Sequence, residues 1–153
     1  MKLFKKTVEV HSPVKGVCMR LEDVNDPMFA DKVLGDGFAV SPMSSIVKSP
    51  MDGTIIMFSE DAYAFGIESS QGATALVHIG IDTVNLKGKG FRALKQEGQT
   101  VRVGESVVEM DLDILKETGY DLTTMIVFTT GEKIGTINKV NEIVDNDDVI
   151  LTI

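Results

Sequence analysis

The chain has 153 residues, 43% of them hydrophobic and 25% charged, a balance that supports one domain with a sizeable core and excludes a disordered chain. Lys and Arg total 15 against 23 Asp and Glu, and the net charge of -8 argues against a nucleic-acid backbone or an anionic lipid surface as a partner. The longest charge-free stretch, Ser69 to Ile81, is too short and too polar to cross a membrane, so stable membrane insertion is not expected.

At the N-terminus Lys2, Lys5 and Lys6 are followed by Glu9 and His11 before any apolar segment forms, which is not the pattern of a signal peptide. Residues 1–6 read as a flexible tail and 7–153 as one domain, with the cytoplasm as the expected location. Runs rich in Val, Ile, Thr and Phe then alternate with Gly, Pro, Asp and Ser, which is an all-β pattern. The expected strands are Thr7 to Val10, Val14 to Leu21, Gly37 to Ser41, Gly53 to Phe58, Ala62 to Glu68, Ala73 to Ile79, Ser106 to Met110, Thr123 to Thr129 and Val149 to Ile153. One or two short helices interrupt them. The first is expected around Met28 to Val33, and the second runs from an Asp111 N-cap to a Gly119 cap with Leu112, Ile114 and Leu115 inward.

A frame Ser-Pro-x-x-Gly occurs at Ser12 to Gly16 and again at Ser49 to Gly53, an offset of 37 residues that suggests duplicated hairpin units. The phrase Glu97 to Glu105 places glycines around a short strand and reads as a surface turn feeding Ser106 to Met110.

The most informative region is Ala62 to Asp82. With Ser70-Gln71 as a two-residue hairpin loop, Ser69 pairs with Gly72, Ile67 lies opposite Thr74, Phe65 opposite Leu76 and Tyr63 opposite His78. One face then presents Tyr63, Phe65, Leu76 and His78, while Ala64, Gly66, Ala75, Val77 and Ile79 suit a core. A single histidine on an apolar strand is more often a core residue satisfied by a backbone carbonyl than a reactive one. Two neighbours favour the second reading: Gly80 removes a side chain on the same face, and Asp82 returns a carboxylate to it. A histidine with one ring nitrogen held and the other free is a nucleophile.

Other candidates read as structure. Gly35-Asp36-Gly37 and Gly88-Lys89-Gly90 lack the helix and Lys-Ser/Thr pair of a phosphate loop, and Asp145, Asp147 and Asp148 lack calcium-loop spacing. Cys18 reads as a small buried hydrophobe. His11 has no partner nearby in sequence, and one cysteine with two histidines gives no internal disulfide and no structural zinc site.

The phrase Val77-His78-Ile79-Gly80-Ile81-Asp82-Thr83-Val84-Asn85-Leu86-Lys87-Gly88-Lys89-Gly90-Phe91 strongly resembles the glucose-family enzyme IIA of the bacterial phosphoenolpyruvate-dependent sugar phosphotransferase system. Leu21 to Lys32, Gly35 to Gly37, Ser49 to Thr54 and Glu97 to Gln99 resemble further family phrases in family order. The resemblance implies an antiparallel β-sandwich or barrel built on a duplicated motif, and a phosphocarrier. His78 matches the phosphorylated histidine. The histidine-containing phosphocarrier protein HPr would be the donor and a sugar-specific IIB domain the acceptor. Phe29, Leu34, Phe65, Leu76 and Val84 match the apolar ring around the active histidine, and no cofactor or resident metal is implied.

One departure falls inside the site. Where the family carries a second active-site histidine, in a phrase resembling Asn-His-Ala-Phe, this chain has Ala62-Tyr63-Ala64-Phe65. A phenol donates one hydrogen bond but at neutral pH offers no imidazolium charge. Asp61 adds a carboxylate nearby. The expected function is a phosphotransferase with His78 as nucleophile, Tyr63 as its hydrogen-bonding neighbour and Asp82 as a carboxylate behind them. The alternative is a regulatory module that docks on target proteins through the same face, with onward transfer impaired by Tyr63.

Overall fold

The computed structural model describes residues 7–153; the tail expected over residues 1–6 lies outside the described residues. In chain order it contains β1 (Glu9–His11), β2 (Gly16–Arg20), α1 (Pro27–Ala30), β3 (Asp36–Pro42), β4 (Ile46–Lys48), β5 (Gly53–Phe58), β6 (Ala64–Glu68), β7 (Thr74–Ile79), β8 (Phe91–Ala93), β9 (Thr100–Val101), β10 (Ser106–Met110), α2 (Leu112–Thr118), β11 (Thr124–Phe128), β12 (Ile143–Val144) and β13 (Val149–Thr152). Short 3-10 turns lie at Leu21–Asp23 and Thr83–Leu86. The chain is all-β and its strand pairs are antiparallel, as expected.

An eight-stranded sheet runs β12-β2-β3-β11-β7-β6-β5-β9, beside a three-stranded sheet β4-β10-β8 and the pair β1-β13. Alternation along the strands decides what is buried. Phe38, Phe65, Val77 and Ile126 of the large sheet share one core with Val47, Val108 and Met110 of the three-stranded sheet and with Val10, Ile150 and Leu151 of the pair. The small sheets therefore cover one face of the large one. Helix α2 adds Leu115 to the same core, with Asp111 accepting from Ile114 N at 3.1 Å and Gly119 at φ 75 as the caps expected.

The duplicated frame is built the same way twice. Ser12 Oγ donates to Val14 O at 2.7 Å and Ser49 Oγ to Met51 O at 2.6 Å. The two copies then join: His11 N donates to Pro50 O at 2.8 Å and Lys48 N to Pro13 O at 2.7 Å. A Cβ at Gly16 would lie 2.0 Å from Ser41 O and one at Gly53 2.4 Å from Glu68 O, so both frames end where the next strand passes too closely for a side chain. Sheet order repeats this symmetry, with β3, β2 and β12 outside β11 matched by β6, β5 and β9 outside β7. Phe38 pairs with Ile126 as Phe65 pairs with Val77, and Ile126 pairs with Val77 at the centre.

The halves differ where they matter for function. Residues 21–35 connect β2 to β3 and build a second, smaller cluster on the outer face from Leu21, Val24, Phe29, Ala39, Met125 and Val127. Residues 59–63 connect β5 to β6 and are too few to form such a cover. Helix α1 begins earlier and is shorter than expected. Asp26 caps it, accepting from Met28 N at 2.9 Å, Pro27 occupies its first turn, and Lys32 at φ 58 ends the helical path before Val33.

Candidate functional site

His78 lies on β7, between Ala64 of β6 and Met125 of β11. This corrects the hairpin register by one residue. Ser69 N donates to Ala73 O at 2.8 Å and Gly72 N to Ser69 O at 2.9 Å, with Gly72 at φ 88, so the loop holds Ser70, Gln71 and Gly72 rather than two residues. A shift of one moves each side chain of β6 to the other face. Phe65 therefore points into the main core at 0% exposure, opposite Val77, and does not line the surface around His78. Ala64 and Gly66, expected in the core, are the β6 residues on the face of His78, beside Leu76.

Tyr63 nevertheless meets His78. It precedes β6, lies opposite Ile79 and accepts from Ile79 N at 2.7 Å. Ala62, immediately before it, is at φ 63, and the phenol ring stands with its centroid 5.3 Å from that of His78 at an interplanar angle of 65°. Phe29 of α1 approaches from another side, with centroids 5.1 Å apart and the rings tilted by 56°. Phe29 is only 4% exposed, so it backs the imidazole rather than forming an outer rim.

Among the described residues the imidazole makes one hydrogen bond, Nδ1 to Gly80 O at 2.9 Å. A carbonyl only accepts, so Nδ1 carries the proton and Nε2 keeps its lone pair. Burial lowers the pKa of His78 below its ordinary 6.5, opposed by the Gly80 carbonyl and by the charges of Asp26 and Asp82. At neutral pH the ring is uncharged, and the lone pair of Nε2 is available.

Gly80 serves a different purpose from the one expected. It sits at φ 81, and a Cβ there would lie 2.4 Å from Thr83 Cγ2 and 3.0 Å from Asp121 O. The space beside Gly80 is filled by Thr83, so this glycine shapes the turn whose carbonyl holds His78 and does not open room for a ligand. Asp82 is exposed, at φ 60, and enters the 3-10 turn Thr83–Leu86. Leu76 is half-buried against the smaller cluster, while Leu34 and Val84 are 37% and 49% exposed. Met28 and Val33 add exposed apolar surface on the β2–β3 connection.

Sequence reasoning missed Asp26, Thr83 and Asp121. Asp26-Pro27 is a helix-start signal, and it marks the carboxylate that the cap places near His78. Asp121-Leu122-Thr123 carries the Asx-turn signal: Asp121 Oδ1 accepts from Thr123 N at 2.9 Å and from Thr123 Oγ1 at 2.6 Å. The remaining motifs are structural. Cβ atoms at Gly35 and Gly37 would lie 2.2 and 1.8 Å from the carbonyls of Phe128 and Ile126, and one at Gly90 would meet Leu115 at 2.6 Å. Asp148 pairs with Lys139 and accepts from Asp145 N. Asp61 lies against the Gly88 turn. His11 Nδ1 lies 2.8 Å from Asn146 O. Cys18 is buried in the main core, and burial pushes its thiol up to about 11. Among the described residues no three His, Cys, Asp or Glu side chains are grouped to hold a metal ion.

Comparison with known proteins accounts for nearly the whole chain. Residues 8–134 match the family described as phosphoenolpyruvate-dependent sugar phosphotransferase system, EIIA 1. The glucose-specific EIIA component of Haemophilus influenzae is 40% identical over 147 residues, covering 95% of this chain and 89% of that protein. The glucose-specific EIICBA component of Streptococcus pneumoniae is 44% identical over 131 residues, 86% of this chain and 18% of that protein. Glucose permease IIA from Mycoplasma capricolum superposes with a TM-score of 0.89 at 31% identity, covering 99% of each chain. This chain belongs to the EIIA 1 family of the phosphoenolpyruvate-dependent sugar phosphotransferase system.

Proposed function

We propose that His78 is the phosphoryl carrier of this chain, loaded by phospho-HPr and discharged to a sugar-specific IIB domain during sugar uptake. The observation that carries this reading is the tautomer: Nδ1 is held by Gly80 O at 2.9 Å, and Nε2 is left as the nucleophile. In the loading step the Nε2 lone pair forms a bond to phosphorus, the donor's nitrogen–phosphorus bond breaks, and its electron pair returns to the donor nitrogen. His78 keeps its Nδ1 proton throughout, so no base is needed. Discharge is the same displacement in reverse, with a cysteine or histidine of the IIB domain as attacking group.

Phosphoryl transfer between two positioned nucleophiles needs alignment and water exclusion more than covalent help. The partly exposed Met28, Leu34 and Val84 offer apolar surface for docking, and the walls of Phe29 and Tyr63 exclude water from the imidazole. With a net charge of -8, the chain attracts a donor that presents a basic surface. The EIICBA relatives, whose names place EIIA with EIIB and EIIC in one chain, support a IIB domain as acceptor. We place this work on the cytoplasmic side, within a single domain over residues 7–153; no described helix is long and apolar enough to cross a membrane.

The test is incubation with phosphoenolpyruvate, enzyme I and HPr, followed by intact-mass measurement under alkaline conditions that preserve phosphohistidine. One added phosphoryl group on the native chain and on His11→Ala, and none on His78→Ala, is the expected result. Retained phosphorylation of His78→Ala overturns the assignment.

A further inference from the structure

The imidazole of His78 is held by a backbone carbonyl, and that carbonyl is itself held by a small network outside β7. Ile81 N donates to Asp121 O at 2.9 Å, and Gly80 N donates to Thr123 O at 3.0 Å. Thr83, fully buried, donates from Oγ1 to Ile79 O at 2.5 Å and packs its methyl group over the Gly80 Cα. The peptide joining Gly80 to Ile81 is planar and trans, so its C=O points opposite to its N–H. Anchoring Ile81 N–H on Asp121 O therefore aims Gly80 C=O the other way, toward His78 Nδ1. The Asp121 carbonyl is set in turn by its own side chain, whose Oδ1 takes both the N–H and the hydroxyl of Thr123.

We propose that Asp121 and Thr83 are positioning residues, which fix the Gly80–Ile81 peptide so that its carbonyl binds the protonated Nδ1 of His78 and reserves Nε2 for phosphoryl transfer. Neither side chain is bonded to His78; both act through the peptide. The glycine is required for the same reason. At φ 81, with Thr83 Cγ2 2.4 Å from where a Cβ would stand, only glycine lets Thr83 close on this turn. The network joins the ends of two adjacent strands, β7 and β11, so the tautomer of His78 is set by how the β11 entry is folded. This inference rests on His78 being the phosphoryl acceptor.

The experiment reads the tautomer directly in the unphosphorylated protein. Nitrogen-15 NMR of the imidazole well above pH 6.5, where the ring is neutral, is compared for the native chain, Asp121→Ala, Asp121→Asn, Thr83→Val and Thr83→Ser. Rates of loading from phospho-HPr and thermal midpoints are measured alongside. Asp121→Ala and Thr83→Val are expected to give mixed Nδ1–H and Nε2–H forms and to load about 2- to 10-fold more slowly, the span that one neutral hydrogen bond carries. Asp121→Asn and Thr83→Ser keep an acceptor and a hydroxyl, and are expected to retain the native tautomer. Asp121 is exposed, so its alanine variant tests the inference even if Thr83→Val does not fold. A native tautomer in folded Asp121→Ala overturns the positioning role. Phosphorylation of His78→Ala would instead overturn the carrier assignment, so the two failures are distinguishable.

Discussion

Tyr63 stands edge-on to His78 with ring centroids 5.3 Å apart, although the hairpin pairs His78 with Ala64. Tyr63 lies just outside β6, between the left-handed Ala62 and the first residue of the strand, and its carbonyl still accepts from Ile79 N at 2.7 Å. In the resemblance drawn from sequence, this position carries a second histidine; here the same space holds a phenol. A phenol can donate to a phosphoryl oxygen but offers no imidazolium charge and little proton traffic near neutral pH.

Loading from HPr is therefore expected to survive in the native chain while discharge to IIB is slow. Tyr63→His should raise the discharge rate, by up to about 10²-fold if acid–base help is what the phenol lacks. Tyr63→Phe should shorten the lifetime of phospho-His78 by removing a hydrogen bond. Single-turnover discharge of the native chain and both variants separates the outcomes. Equal rates for the native chain and Tyr63→His mean that the phenol costs nothing.

Two phenylalanines that looked equivalent in sequence should behave differently. Phe65 is fully buried in the main core, and Phe65→Ala should destabilise the fold by about 3–5 kcal/mol. Phe29 lies in the smaller outer cluster against His78, so Phe29→Ala should cost less stability and should raise the His78 pKa by admitting water. Denaturant midpoints together with an NMR titration of His78 distinguish the two. A raised His78 pKa in Phe65→Ala alone contradicts the assignment of faces.

Docking should depend on the exposed apolar residues rather than on the buried ones. Leu34→Glu and Val84→Glu are expected to raise the KM for HPr by about 5- to 30-fold, the effect of losing one interface anchor, without moving the thermal midpoint. An unchanged KM in both variants removes this surface from the docking account.

The long strands and the α2 caps were legible because alternation, Asp111 and Gly119 are local signals. Strands β4, β8 and β12 were not, being two or three residues long, too short for a period to show. The hairpin register failed on a single glycine. Ser70-Gln71 looks like a two-residue loop, but Gly72 adopts φ 88 inside the turn and lengthens it by one, which reversed the faces of Phe65, Ala64 and Gly66. The proximity of Tyr63 to His78 was legible in the sequence, whereas the groups that orient the imidazole were not. Gly80 O, Asp121 and Thr83 act through backbone direction, and Phe29 and Asp26 arrive from a connection that tertiary packing folds over the sheet.

The burial of His78 also predicts how loading and stability respond to pH. Desolvation holds its folded-state pKa below 6.5, while the carbonyl of Gly80 and the charges of Asp26 and Asp82 limit the drop. Loading needs the neutral ring, so its rate should stay level as pH falls through 6.5 and decline only at the lower, folded-state value. Stability follows the same difference in proton binding. Between the two pKa values the unfolded chain holds more protons on this residue than the folded one, so stability rises with pH across that window, and the His78 penalty is fully present below it. His78→Ala should remove this part of the pH dependence, whereas His11→Ala should leave it. Denaturant unfolding of the native chain and both variants between pH 5 and 8, with the loading rate followed over the same range, measures both effects. An acid limb for loading at or above 6.5 would show that the imidazole is not desolvated in the working protein.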